Sequence, residues 1–142
     1  MKRPLLHATT FRSIVTTLIL SLILFIATVQ YRQYTYYQRG VAAEAKGDLR
    51  GALSGYEAAI HFHTPFSPLV ERSAARIWKI AEDAEKRGEI GFALIAYRAL
   101  RSSFYAARSL YIPGERWIRG CNERIVQLEQ REASLSPTGG ER

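Results

Sequence analysis

Ala43-Glu44-Ala45-Lys46-Gly47-Asp48-Leu49 and Ala84-Glu85-Lys86-Arg87-Gly88-Glu89-Ile90 are one pattern written twice, 41 residues apart. The register continues through Ala52/Ala93, Leu53/Leu94, Tyr56/Tyr97 and Ala58/Ala99. Self-similarity at a fixed offset marks stacked supersecondary units that share their apolar faces. Each copy predicts a helical hairpin. Gly47 and Gly88 stand where a first helix ends in the left-handed conformation, which a residue without a Cβ adopts at little cost. Asp48 and Glu89 then bring a carboxylate to the start of the next helix, where the helix dipole favours it, and Asp48 is also a good N-cap. In the second helices Leu49, Ala52, Leu53, Tyr56, Ala59 and Ile60 recur at steps of three and four, as do Ile90, Ala93, Leu94, Tyr97, Leu100 and Phe104. Both are one-sided apolar faces. Small Ala52 and Ala93 permit a close helix crossing, and Tyr56 and Tyr97 fill the space a turn later.

These positions resemble the tetratricopeptide repeat. In that family a small residue in the first helix precedes a turn of glycine and an acidic residue, then come Ala, an aromatic residue, Ala and finally proline. The first copy reads Gly40, Gly47-Asp48, Ala52, Tyr56, Ala59 and Pro65. The second reads Ala81, Gly88-Glu89, Ala93 and Tyr97, with Leu100 where the family prefers Ala. With the family's period of about 34 residues, the copies run over 33–66 and 74–107. Seven residues separate the copies, an insertion that departs from the family. Ser67-Pro68 within it reads as an N-cap followed by proline at the first helical position, so the added length extends the third helix. A plain antiparallel bundle of two similar hairpins satisfies the same apolar pattern.

After Pro113-Gly114 a fifth helix is expected, with Trp117, Cys121, Ile125 and Leu128 on one stripe and Glu115, Glu123, Glu129 and Arg131 elsewhere. Two repeats bury their faces poorly without about one more unit, so this helix is expected to cap the array. Residues 134–142 lack a core-forming pattern and are expected to be a disordered tail.

On the other side of the repeat, the 19 residues from Ser13 to Tyr31 carry no charge. As a helix this stretch is about 28 Å long, enough to cross a hydrocarbon core of about 30 Å once. A cleaved signal peptide shares the basic start and the early position. Against cleavage, the apolar run from Ile14 to Val29 exceeds the usual h-region, and Ala27-Thr28-Val29 ends on Val where a small residue is wanted. An uncleaved signal anchor is therefore expected. Tyr31, Tyr34, Tyr36 and Tyr37, with Arg32 and Arg39, read as an interfacial belt or as part of the first soluble helix; the two are compatible if the helix runs on unbroken. The basic flanks nearly tie. Lys2, Arg3 and Arg12 are the denser set, which places the C-terminal part on the outer side. The resulting division is a short basic tail at 1–12, a transmembrane helix at 13–31, an α-helical repeat module at 32–133 and a tail at 134–142. The fold class is all-α.

The 142 residues carry 20 basic and 13 acidic side chains, a net charge of +7. Four of the basic residues and none of the acidic ones lie in residues 1–32, which leaves the rest at +3, an ordinary mixed surface rather than a nucleic-acid footprint. The lone Cys121 excludes an internal disulfide or a paired-cysteine metal site, and its place on the apolar stripe suits a buried, inert thiol. His61 and His63 are two imidazoles where a tetrahedral catalytic zinc wants three protein ligands, and no third is placed to join them. Ser102, Ser103 and Ser109 have no nucleophile-elbow context, and Gly47, Gly51 and Gly55 do not form a phosphate loop. No enzyme, cofactor, metal or small-molecule substrate is expected.

Binding is the better expectation. The resemblance implies that the first helix of each hairpin lines a concave surface for a protein or peptide partner. Tyr34, Tyr37, Val41 and Glu44 would face it from the first copy, and Trp78, Glu82 and Glu85 from the second, giving an aromatic and acidic groove. Core packing of Trp78 against the last helix is an equal alternative. Arg98, Arg101, Arg108, Arg116 and Arg119, near Phe104, Tyr105, Tyr111 and Trp117, form a second, cationic candidate whose plain reading is a solvated helix face, because Glu115 and Glu123 interrupt it. The whole resembles bacterial inner-membrane proteins with an N-terminal anchor and a periplasmic repeat module that serves as a scaffold or envelope assembly factor. The alternative is a permanent structural subunit of a larger membrane complex.

Overall fold

The structure, a computed structural model, describes residues 4–62, 67–106 and 114–135. These form five α-helices in the order α1 (Pro4–Ala45), α2 (Leu49–His61), α3 (Pro68–Lys86), α4 (Ile90–Ala106) and α5 (Glu115–Leu135), and no strand occurs among the described residues. The all-α expectation holds. Most of the expected tail at 1–12 is helical: Pro4 opens α1, and no helix breaker follows it for the next 35 residues. At the other end α5 takes in Ser134 and Leu135, and the remainder of the expected 134–142 tail lies outside the described residues.

Both tight turns form as the glycines require. Gly47 and Gly88 adopt φ of +76° and +79°. Around each, the same pair of backbone bonds recurs: Asp48 N–H donates to Ala43 C=O and Gly47 N–H to Glu44 C=O, while Glu89 N–H donates to Ala84 C=O and Gly88 N–H to Glu85 C=O, all at 3.0 Å. This pairing ties up carbonyls that a helix end leaves without partners. Asp48 then caps α2 by accepting from Gly51 N–H at 2.9 Å, and Ser67 caps α3 by accepting from Leu69 N–H at 3.3 Å, with Pro68 next as expected.

The helices alternate in direction and pack in two layers, α1, α3 and α5 in one and α2 and α4 in the other. Their shared core contains Tyr56, Ile60, Ile77, Tyr97, Leu100, Phe104 and Leu128, each exposed by 1% or less. Ala52 and Ala93 are fully buried. α1 and α2 approach closely: a Cβ added to Gly55 would sit 2.5 Å from the Gly40 nitrogen. Cys121, Ile125 and Leu128 bring α5 onto this core, joined by Ile118, while Trp117 stays partly exposed. The core thus needs α5 to close it.

Among the described residues, one helix is long and apolar enough to cross a membrane. It is α1, whose apolar segment near the N-terminus buries nothing against the rest of the chain. Phe11, Leu18, Leu22, Leu24 and Phe25 are 58–68% exposed. Thr16, Thr17 and Thr28 turn their hydroxyls back onto the carbonyls of Arg12, Ser13 and Leu24, at 2.8–2.9 Å, so these polar groups are satisfied inside the helix. From Gln33 onward the same helix, without interruption, is the first helix of the bundle.

Candidate functional site

The α1–α3–α5 layer presents an open surface with two clefts that meet at Ala75. The first, about 570 Å³, lies between α1 and α3 and is lined by Tyr37, Arg72, Ala75, Arg76 and Lys79. The second, about 670 Å³, lies between α3 and α5, with Trp78, Trp117 and Gly120 on its floor and Glu71, Arg116, Glu123 and Arg124 around it. Arg72, Ala75, Arg76 and Lys79 follow a three- and four-residue rhythm and form the exposed stripe of α3.

Each residue expected in the groove has a definite place. Tyr37 is half-buried, with its ring 5.6 Å from that of Tyr56 and its edge in the first cleft. Tyr34, 53% exposed, instead accepts from Gln38 Nε2 at 2.8 Å along α1 and lines neither cleft. Val41 packs against the core. Glu44 accepts the Tyr56 hydroxyl at 2.5 Å and pairs with Arg76 at 3.4 Å. Burial, with help from Glu44, pushes the Tyr56 phenol well above the ordinary range, so it stays a donor.

The second copy departs from the first at the equivalent pair. Glu85 faces Arg124 and Arg131 of α5 at 3.6 and 3.5 Å, and the buried Tyr97 hydroxyl has no hydrogen-bond partner among the described residues. Trp78 donates its indole N–H to Glu82 at 2.8 Å. Its ring meets Tyr97 edge-on at 5.0 Å and Trp117 at 5.8 Å, and Gly120 lacks the Cβ that would sit 3.0 Å from it. Both readings of Trp78 therefore apply: it packs against the last helix and floors the second cleft.

The surface is not acidic. Glu44, Glu82 and Glu85, expected to give it that character, are engaged by Tyr56 and Arg76, by Trp78, and by Arg124 and Arg131. What projects from α3 instead is Arg72 and Lys79, which pair with no carboxylate among the described residues. The reading from sequence missed Arg72, Arg76 and Lys79, although their three- and four-residue spacing along α3 was available. The other cationic candidate disperses: Arg98 pairs with Glu129, Arg101 with Asn122, Arg116 with Glu71, and Arg108 and Tyr111 lie outside the described residues.

No protein-family model, curated protein or solved structure matches this chain.

Among the described residues, no three His, Cys, Asp or Glu side chains gather closely enough to hold a metal ion. Cys121 is buried, and that burial pushes its thiol up to about 12. His61 ends α2 and is exposed, whereas His63 lies outside the described residues. The chemistry on offer in the α1–α3–α5 layer is aromatic floors with cationic edges. Aromatic rings offer contact area to apolar groups, and arginine and lysine side chains can pair with carboxylates.

Proposed function

We propose that this chain is a single-pass membrane protein, held by α1, that displays a tetratricopeptide-like helical module as a scaffold for a protein partner. The observation that carries the reading is α1 itself. Half of it offers an apolar cylinder that none of the described residues covers, and the other half is built into the core without a linker. An unpartnered apolar helix of that length is matched by a bilayer. The partner surface is the pair of clefts meeting at Ala75, where Tyr37, Trp78 and Trp117 supply contact area at small entropy cost and Arg72 and Lys79 supply charge. The finer placement, a bacterial inner membrane with the module in the periplasm and a role in envelope assembly, is supported by the denser basic flank before Ser13 and by the outline of anchor plus repeats. The chain performs no catalysis in this reading.

Site-specific photo-crosslinking in native membranes tests it. A photoreactive residue at Lys79, in the first cleft, is expected to form a discrete protein adduct, and one at Ile95, exposed on the other layer, is not. The combination Tyr37→Ala with Arg72→Glu should remove the Lys79 adduct, while exchange of residues 13–31 for an unrelated apolar helix should preserve it. Loss on exchanging the anchor, with the cleft variant still crosslinking, favours a subunit packed permanently through its membrane helix.

A further inference from the structure

The two clefts that meet at Ala75 divide their chemistry. In the first, Arg72 and Lys79 meet no carboxylate among the described residues, and Glu44, which pairs with Arg76 at 3.4 Å, also holds the Tyr56 hydroxyl at 2.5 Å. That cleft is left cationic. In the second, the arginines are answered within the chain: Arg116 pairs with Glu71, and Arg124 with Glu85 at 3.6 Å. Its floor is two indoles, Trp78 and Trp117, with ring centroids 5.8 Å apart and N–H groups already donated to Glu82 at 2.8 Å and Glu71 at 3.2 Å. What these rings leave open is apolar surface. Glu123, at the wall of this cleft, pairs with no cation among the described residues. Ala75, exposed and carrying only a methyl group, lines both clefts.

The packing of α1 against α3 sets the height of the cations. Gln33, fully buried and two residues past the uncharged stretch, donates from Nε2 to Ala59 C=O at 3.0 Å and accepts from Ser67 Oγ at 2.7 Å. The start of α3 is therefore level with the point where α1 leaves its apolar segment. From there α3 runs in the same direction as α1, which places Arg72 about 8 Å and Lys79 about 18 Å beyond Ser67 at about 1.5 Å per residue. With α1 as the span, a headgroup layer of about 5–8 Å per side ends near Arg72. Lys79 stands clear of lipid phosphate.

Resting on the reading of the clefts as the partner surface, we propose that they take one extended segment of a protein, which crosses α3 at Ala75 with carboxylates in the first cleft and an apolar or aromatic side chain in the second. Packed helices lie about 8–10 Å apart, so the clefts flanking α3 are separated by about that distance, and an extended chain rises about 3.3 Å per residue. About three residues therefore separate the acidic and apolar positions of the segment. Carboxylates in the first cleft pair with Arg72 and Lys79, whereas in the second they would meet Glu123. An apolar side chain on the indoles displaces water without stranding either N–H, because both are bonded inside the chain. A basic segment is repelled from the first cleft, and a purely apolar one leaves its cations unmatched.

The test uses the full chain in micelles of an uncharged detergent and the fluorescence anisotropy of labelled, end-blocked Ser/Gly peptides. Two of them carry adjacent aspartates with a phenylalanine about three residues before or after; the others replace the aspartates by asparagines or lysines, or set the phenylalanine next to the aspartates. The spaced acidic peptide, in one of its two orders, is expected to bind about tenfold tighter than its asparagine counterpart and to weaken as salt rises. It should also bind more tightly than the peptide with adjacent phenylalanine. Arg72→Glu combined with Lys79→Glu, both at exposed positions, should lose the acidic peptide and gain the lysine one, while Lys46→Glu with Arg50→Glu, in the turn before α2, should change neither. That exchange of preference is a gain that misfolding cannot produce. Equal binding of the asparagine peptide, or an unchanged preference in the Arg72/Lys79 variant, overturns the proposal. So does phosphatidylglycerol that co-purifies with the parent chain and is lost from that variant while no peptide binds, since the cations then hold lipid headgroups. No peptide binding, with the Lys79 photoadduct still formed in native membranes, overturns the acidic segment and leaves the clefts as the partner surface; loss of the adduct as well overturns both.

Discussion

Two helical glycines make opposite predictions for chemically equal changes. Gly55 lies against the backbone of Gly40, so a Cβ there must push a main chain rather than a side chain. Gly55→Ala should therefore destabilise the bundle by about 1–3 kcal/mol. Gly91, in the first turn of α4, has nothing within 4 Å of the position a Cβ would take. Gly91→Ala should stabilise by up to about 1 kcal/mol through helix propensity. Thermal unfolding of the full chain in detergent micelles reads both. Glu57 supplies a pH test. Burial raises its folded carboxyl above the ordinary value, with His61 opposing. The folded state then binds the extra proton, so this group's contribution to stability falls as pH rises through the unfolded and then the folded value. Glu57→Gln should flatten that part of the pH–stability curve and raise stability at neutral pH; an unchanged curve contradicts the burial argument. The residue scale was also the hardest to read from sequence. Ala52, Tyr56, Ala93 and Tyr97 declared themselves by register, whereas Gln33 stood as one polar residue beside four tyrosines, and only the fold brings it to Ala59 and Ser67.

At the scale of the element, the chain is two hairpins that end their first helices in the same way. Glycine at φ near +76° and +79° with open space around it is required by backbone conformation alone, not by packing. Gly47→Ala and Gly88→Ala should each cost about 1–2 kcal/mol, and the Asn variants should recover part of that because Asn tolerates the left-handed region. Equal melting of Ala and wild-type chains would contradict the turn geometry. These hairpins, the Ser67-Pro68 start of α3 and the position of α5 were legible because capping and periodicity are local. The helical state of the basic tail was less so: its charges say nothing of conformation, and nothing after Pro4 stops the helix.

Across the whole molecule, legibility ended where partners come from a different helix. Glu44 and Glu85 looked like groove carboxylates, yet Arg76 of α3 reaches the first, and Arg124 and Arg131 of α5 reach the second. Those meetings depend on how the repeats stack, which no local pattern encodes, and they turn an expected acidic surface into one edged by Arg72 and Lys79. The same stacking makes the anchor and the module a single object. α1 is both the apolar cylinder and the first wall of the core, so under the proposed membrane reading the module's clefts do not turn independently of the bilayer. That claim stands or falls with retention of the apolar segment in the bilayer. The direct measurement is the intact mass of the protein that stays with membranes after an alkaline carbonate wash. The account predicts that the retained chain includes residues 13–31; a chain beginning near Gln30 and released into the soluble fraction would contradict it.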